Sequence, residues 1–545
     1  MNPTQPNLLW WQTGVMYNLY VRSFRDANGD GIGDLWGVIE KLDYLHNLGV
    51  DILWLSGALD SPWIEFGFDV RDMQNVHPAM GNLEVVDELL AKAHERGMKI
   101  MLDFIPNHTS HEHPWFQEAK SSRDNPKRDW YIWCDPDEDG GPPNNWLSPF
   151  GGSMWEWDDA TGQFYLHTFL KEQPDLNWRN PQVVEAMKNV LRFWLERGVD
   201  GFRVDAAHHI IKDRLLRDNP PNPGAQEKDG RTVLHETQLH VFDREQYELH
   251  GIIRELRKVL DEFSTEGQPR AWIAEIHPAG WGAWIQYYGP NLDEFHFPLS
   301  NAFIFNQWKA VEVRILVDMI EAILPPGAWP NAHTGNFDET RMVTRVGYDQ
   351  ARLSAMLLLT LRGTPLIYYG EEIGMHNVDV PRERSKDRMG IQIGNNRDPQ
   401  RTPMQWNTGF NAGFNDNNAE TWLPVAEDFA QNNVQTQWDD PQSMLSLYRS
   451  LIGCRRATPP LVQGDYIPVE TDLPNIFAFL RVLDEERVFV ALNFTDQLST
   501  LALPLLGRGK LAHSTYMDRE EDVNLASLEI RPHEGVIVHL RPERK

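Results

Sequence analysis

Gly201-Phe202-Arg203-Val204-Asp205 decides how the chain is read. Apolar Phe202 and Val204 alternate with charged Arg203 and Asp205, the period of a short strand ending on a carboxylate. Residues two apart on a strand share a face, which places Arg203 beside Asp205. A cation that close keeps a partly buried carboxylate ionised, as a carboxylate nucleophile requires. An isolated Arg-x-Asp is as a rule a structural ion pair; the surroundings of this one change its meaning.

A charged helix is predicted just upstream, over residues 180–198. Further toward the N-terminus the pattern predicts strand 14–20, helix 35–48, strand 51–55, helix 83–96 and strand 99–104. From strand 199–205 onward it predicts helix 247–263, strand 271–275, a short strand near 295–297 and helix 307–323. A strand end at 331–338, helix 347–361 and strand 365–369 follow. Eight strand slots alternating with amphipathic helices give an α/β fold, a parallel (β/α)8 TIM barrel. The Pro-, Gly-, Asp- and Trp-rich stretch after the third strand breaks this rhythm and reads as an inserted subdomain. Helix 442–452 closes the barrel, and short alternating runs after Pro459 predict a C-terminal antiparallel β-sandwich. The expected organisation is barrel over 1–106 and 180–458, insert over 107–179 and sandwich over 459–545.

A net charge of −28 disfavours nucleic acid and anionic membranes as partners. Cys134 and Cys454 offer neither a CxxC motif nor a disulfide framework. No signal-like N-terminus and no run of ~20 apolar residues is present. The expectation is a cytoplasmic monomer or small homo-oligomer with no nucleic-acid or membrane partner. In Asp26-Ala27-Asn28-Gly29-Asp30-Gly31-Ile32-Gly33-Asp34, oxygen side chains alternate with glycines. That suits a structural Ca2+ or Mg2+ ion held by Asp26, Asn28, Asp30, Asp34 and the Ile32 carbonyl. The twelfth position is Gly37 rather than Glu, so the loop is not an EF-hand. No organic cofactor is expected.

Asp103, Asp205, Glu275 and Asp338 stand at or just after predicted strand ends, where a TIM barrel builds its active site. Two carboxylates flanking a glycosidic bond suffice for hydrolysis, and a third can hold the sugar or shift the acid's pKa.

The stretches Asp103-Phe104-Ile105-Pro106-Asn107-His108, Gly201 to Asp205, strand-end Glu275 and Asn336-Phe337-Asp338 resemble the four signature regions of the α-amylase superfamily of glycoside hydrolases. Tyr20-Val21-Arg22-Ser23-Phe24, Tyr368-Tyr369-Gly370-Glu371-Glu372 and Arg401-Thr402-Pro403-Met404-Gln405-Trp406 resemble its α-glucosidase and oligo-1,6-glucosidase branch. The resemblance implies a retaining double displacement on a small sugar substrate. Asp205 would be the nucleophile, Glu275 the acid and then the base, and Asp338 the residue gripping sugar hydroxyls. Arg203 would hold Asp205 ionised, and His108 would bond the sugar. Asp69 and Arg401 resemble the pair that closes the pocket around a terminal glucose, which implies an exo-acting enzyme.

The departures cluster around the same pocket. Phe337 stands where the family usually has His, and Phe68 where it has a sugar-stacking Tyr. Ala206, small where α-1,6-preferring members carry Val, leans toward α-1,4 bonds or small aglycones. His208 and His209 after the nucleophile, and Arg397-Asp398-Pro399-Gln400 before Arg401, are also unusual. A transglucosylase or a sucrose/trehalose-type isomerase shares the three carboxylates, and a sugar-binding protein with weakened catalysis is the reading that Phe337 favours.

Overall fold

Asn180 accepts a hydrogen bond from the Gln182 amide, Pro181 fills the first turn, and Gly198 ends the helix Pro181–Arg197 in a left-handed conformation at φ 105°. The chain then enters the buried strand Gly201–Val204. The same logic repeats along the computed structural model, which describes residues 8–225, 234–277 and 280–542, with the backbone of 227–228 and 231–232.

Eight parallel strands are β1 (Met16–Tyr20), β2 (Ile52–Ser56), β3 (Lys99–Phe104), β4 (Gly201–Val204), β5 (Ala271–Glu275), β6 (Phe297–Leu299), β7 (Asn331–Ala332) and β8 (Thr364–Tyr368). Their order in the sheet is β6-β5-β4-β3-β2-β1-β8-β7, so β8 returns to pair with β1. Between β6 and β7 no ladder forms among the described residues; the Asn331 side-chain amide donates to the Pro298 carbonyl across that seam at 2.8 Å. This is the expected barrel, with local differences. The sixth strand lies two residues later than predicted, because the Phe295 amide is spent on the Tyr287 carbonyl. The predicted helix 35–48 is two helices, Leu35–Glu40 and Leu42–Leu48, broken at Lys41. The seventh strand has two residues, and the rest of 331–338 is turn.

A three-stranded antiparallel sheet (Trp133–Cys134, Gln163–Leu166, Trp155–Asp158) sits between β3 and helix Pro181–Arg197, over a small core of Trp146, Met154, Trp155 and Leu166. A buried ion pair fastens it to the barrel: Lys212 Nζ lies 2.6 Å from Asp175 and donates to Asn107 Oδ1 at 2.7 Å.

The C-terminal six-stranded antiparallel sheet uses both faces. Along Ile476–Leu483, Phe477 and Phe479 pack into the barrel core, while Ile476, Ala478 and Leu480 face a second layer. That layer is a ribbon of two strands, Ser499–Leu501 and Leu528–Ile530. No helix among the described residues is long and apolar enough to cross a membrane.

Candidate active site

Strand register assembles the centre. Arg203 pairs with Asp103 on one side and Ile273 on the other, so all three face the same way; Asp205 and Glu275 follow two residues on. The Arg203 guanidinium, 1% exposed, donates through Nη1 to Asp205 Oδ1 at 2.7 Å and through Nη2 to Glu275 Oε2. Asp103 lies beneath it, 3.5 Å from Nη1, and accepts from Trp54 Nε1 at 2.9 Å and the Gly57 amide at 3.0 Å. Burial pushes the Asp103 carboxyl up to about 6, with Arg203 pulling the other way.

A cavity of about 310 Å3 opens above these groups. Asp205, Glu275, Asp338, Phe68, His108 and Phe337 line it, whereas Asp69, Arg203 and Arg401 do not. His108 is held with Nε2 3.0 Å from the Phe68 carbonyl and 2.9 Å from Gln173 Nε2. Burial lowers its pKa, so it meets a ligand as neutral imidazole. Asp338 accepts from Arg401 Nη2 at 2.7 Å and Arg397 Nη1 at 3.3 Å.

The far wall joins Arg397, one of the unusual residues noted in the sequence, to Glu65 and Asp387, which the sequence did not announce. Arg397 Nη2 donates to Glu65 Oε1 at 2.7 Å and to Asp387 Oδ1 at 2.6 Å, and its Nε reaches Asp387 Oδ2 at 3.0 Å. The guanidinium lies 5.0 Å from the Phe150 ring. Burial opposes charge on Asp387, but the forked Arg397 contact overrides it and holds the carboxyl below its usual range. Glu65, Phe150 and Arg397 all line the cavity, and burial pushes Glu65 up to about 7.

Residues 18–464 match the model of the α-amylase catalytic domain. The chain belongs to the α-amylase family. It is 40% identical to a protein of Rhizobium meliloti named "Probable alpha-glucosidase", over 93% of this chain and 94% of that one. It is 36% identical to an oligo-1,6-glucosidase of Heyndrickxia coagulans, over 97% and 99%. The crystal structure of the α-glucosyl transfer enzyme XgtA superposes with a TM-score of 0.91 at 37% identity, covering 98% of this chain and all of that one. The protein is an α-glucosidase-like glycoside hydrolase.

Within this α-amylase-family site, Asp69 and Arg401, the two residues expected to close the pocket, lie outside the cavity lining. Asp69 is fully buried and accepts from Ser61 Oγ at 2.6 Å and from the Ile64 and Glu65 amides at 3.0 Å each. A short carboxylate beside three donors of its own loop is satisfied before it can reach the cavity. Arg401 turns instead to Asp338 and, through Nε, to the Phe337 carbonyl at 2.8 Å. Asp69 thus shapes the loop that presents Glu65 and Phe68.

Phe337 is 3% exposed, its ring 5.5 Å from that of Phe68 and its face 5.7 Å from the guanidinium of Arg203 and 5.7 Å from that of Arg401. His333 does not stand in for the missing imidazole: its Nε2 is 2.8 Å from Asn301 Oδ1 and it lies outside the cavity lining. His208 and His209 both line the cavity, with ring centroids 4.2 Å apart. Burial holds both neutral, so they present polar edges without charge.

The N-terminal loop closes on its own backbone. Asp26 accepts from the Gly29 and Gly31 amides at 2.5 and 2.8 Å, Asn28 from Asp30 at 3.0 Å, and Asp30 from Ile32 at 2.9 Å. Asp34 accepts from Ala27 and Asn28 at 3.0 Å and caps the next helix by accepting from Gly37 at 2.7 Å. A Cβ at Gly31 would sit 2.0 Å from the Glu420 carbonyl oxygen, so only glycine passes there. Among the described residues no three carboxylate, His or Cys groups converge as a cation would need.

Proposed function

We propose that this enzyme is a retaining, exo-acting α-glucosidase that releases terminal α-linked glucose from short oligosaccharides or small glucosides. Asp205 attacks the anomeric carbon, Glu275 protonates the departing oxygen and later takes a proton from water, and Asp338 grips the sugar hydroxyls. The observation that carries the reading is one guanidinium, that of Arg203, donating to both Asp205 and Glu275. Carboxylates that share one cation lie near each other, which supports the retaining arrangement, ~5–5.5 Å apart, over the ~6.5–9.5 Å of inverting enzymes. The Glu65–Arg397–Asp387 wall supports a closed pocket end, hence attack on terminal residues.

The test is release of nitrophenol from p-nitrophenyl α-D-glucopyranoside, with a panel of maltose, isomaltose, sucrose, trehalose and a long maltodextrin. Asp205→Asn is expected to lose activity by on the order of 10^4-fold or more while keeping its circular dichroism spectrum. Activity undiminished in that variant would sink the nucleophile assignment, and faster turnover of the long dextrin than of maltose would sink the closed pocket. Glucosyl transfer to a sugar instead of water uses the same groups, and likeness to XgtA supports it; longer oligosaccharides formed at high maltose would reveal it.

We also propose that Asp26, Asn28, Asp30, Asp34 and the Ile32 carbonyl hold a structural Ca2+ or Mg2+; the alternation of oxygens supports this. Added Ca2+ should raise the melting temperature relative to EDTA-treated protein, and an unchanged value would end the idea.

A further inference from the structure

We propose that His277 is a positioning residue for the acid/base Glu275, an inference that rests on the reading above. His277 follows Glu275 by two residues, just past the end of β5. His277 Nε2 lies 2.8 Å from Glu275 Oε1, while Oε2 belongs to Arg203. Each carboxyl oxygen therefore has its own partner, and the group is fixed against rotation on both sides. His277 lines the cavity, and its side chain is 43% exposed, so it sits at the reacting centre rather than in the core.

The charged and titratable groups facing it come from four elements. Glu275 lies on its own strand and Arg203 on β4; His208, at a ring distance of 5.8 Å, and Arg244 follow β4; Asp338, Glu339 and His333 belong to β7 and its turn. Packing lowers the imidazole's proton affinity, with Asp338 opposing. A neutral imidazole has one N–H to give, and Glu275 Oε1 is the acceptor in reach.

The chemistry follows. In the first step the bond from C1 to Asp205 forms as the bond from C1 to the leaving oxygen breaks, and the Glu275 proton passes to that oxygen. Negative charge appears on Glu275, where the His277 N–H stabilises it. In the second step water bonds to C1, the C1–Asp205 bond breaks, and the water's proton returns to Glu275.

Substrates differ in how much they need that proton. Maltose must expel a sugar alkoxide, whereas p-nitrophenyl glucoside expels a phenolate that leaves with little help. His277→Ala should lower kcat/KM on maltose by on the order of 10^2-fold and on the nitrophenyl substrate by only a few-fold. A donor to the carboxylate form lowers its pKa, so its loss should move the alkaline limb of the pH profile upward. His277→Phe, which keeps a ring of similar size, should behave as the Ala variant does, and His277→Gln, which keeps an N–H, should recover part of the loss. Equal losses on both substrates with an unmoved limb would overturn the proposal. A wild-type enzyme inert on both would overturn the underlying reading instead.

Discussion

Phe337 shows how one side chain is fixed by its neighbours. Its ring presents its faces to two guanidinium groups, Arg203 and Arg401, each 5.7 Å away, an arrangement that favours π density over another nitrogen. An imidazole there would leave a buried polar atom between two cations. Phe337→His is therefore expected to lower turnover on the best substrate by about tenfold, roughly the effect of misplacing one polar group; a rise in steady-state turnover on maltose would show that the phenyl ring is a lost donor instead. At this scale the three carboxylates, Arg203, His108 and Phe68 were legible because each sits at a strand end or beside an aromatic signature. Glu65 was not. Its partner Arg397 lies 332 positions away, and no local spacing announces a pair made only by folding. Asp69 carries a second duty that its motif does not announce: it accepts three hydrogen bonds from its own loop.

Elements with caps were read closely. The helix predicted over 180–198 has its cap residues at Asn180 and Gly198, and β3 and β5 coincide with their predicted bounds. Elements held by tertiary contacts were not. The seventh strand is two residues long, and nothing in its composition marks that. The loop behind the sugar pocket carries Trp63 at φ 62° and Phe66 at φ 50°, conformations that cost about 1–3 kcal/mol each and persist only where the surroundings insist. Asp69 supplies that insistence. On the opposite side, the Tyr368 and Tyr369 hydroxyls donate to the Gln400 and Thr402 carbonyls at 2.9 and 2.7 Å. The Tyr-Tyr motif after β8 thus ties down the segment that bears Arg397 and Arg401, a structural duty that its sequence does not reveal.

Across the whole molecule, the barrel and the C-terminal β-sandwich were legible from strand count and alternation, whereas the small size of the sandwich's second layer, two strands, was not. The same packing sets a pH dependence. Burial raises the carboxyl groups of Asp34 and Asp103 to about 6 and those of Glu65 and Glu371 to about 7. Such groups bind protons more tightly folded than unfolded. Their contribution is complete below the unfolded carboxylate range, near ~4, and is lost as pH rises through 6 and 7. Burial acts the other way on imidazoles: it lowers His113 and His333 to about 4 and His235 to about 3, and it lowers His108, His208, His209 and His296 as well, so their contribution is lost as pH falls below the unfolded value near ~6.5. The imidazoles outnumber the raised carboxyls, so calorimetry is expected to find the melting temperature a few °C lower at pH 5.5 than at pH 7.5; a higher value at pH 5.5 would contradict the assignment. The span between Glu65 and Arg397 also bears on how the protein is made. On the ribosome, Asp205 and Glu275 are synthesised long before Arg397, so the growing polypeptide carries those carboxylates before the far wall of the cavity can form. A polypeptide cut short anywhere between Glu275 and Arg397 keeps both carboxylates and loses the wall that Glu65 and Arg397 build together.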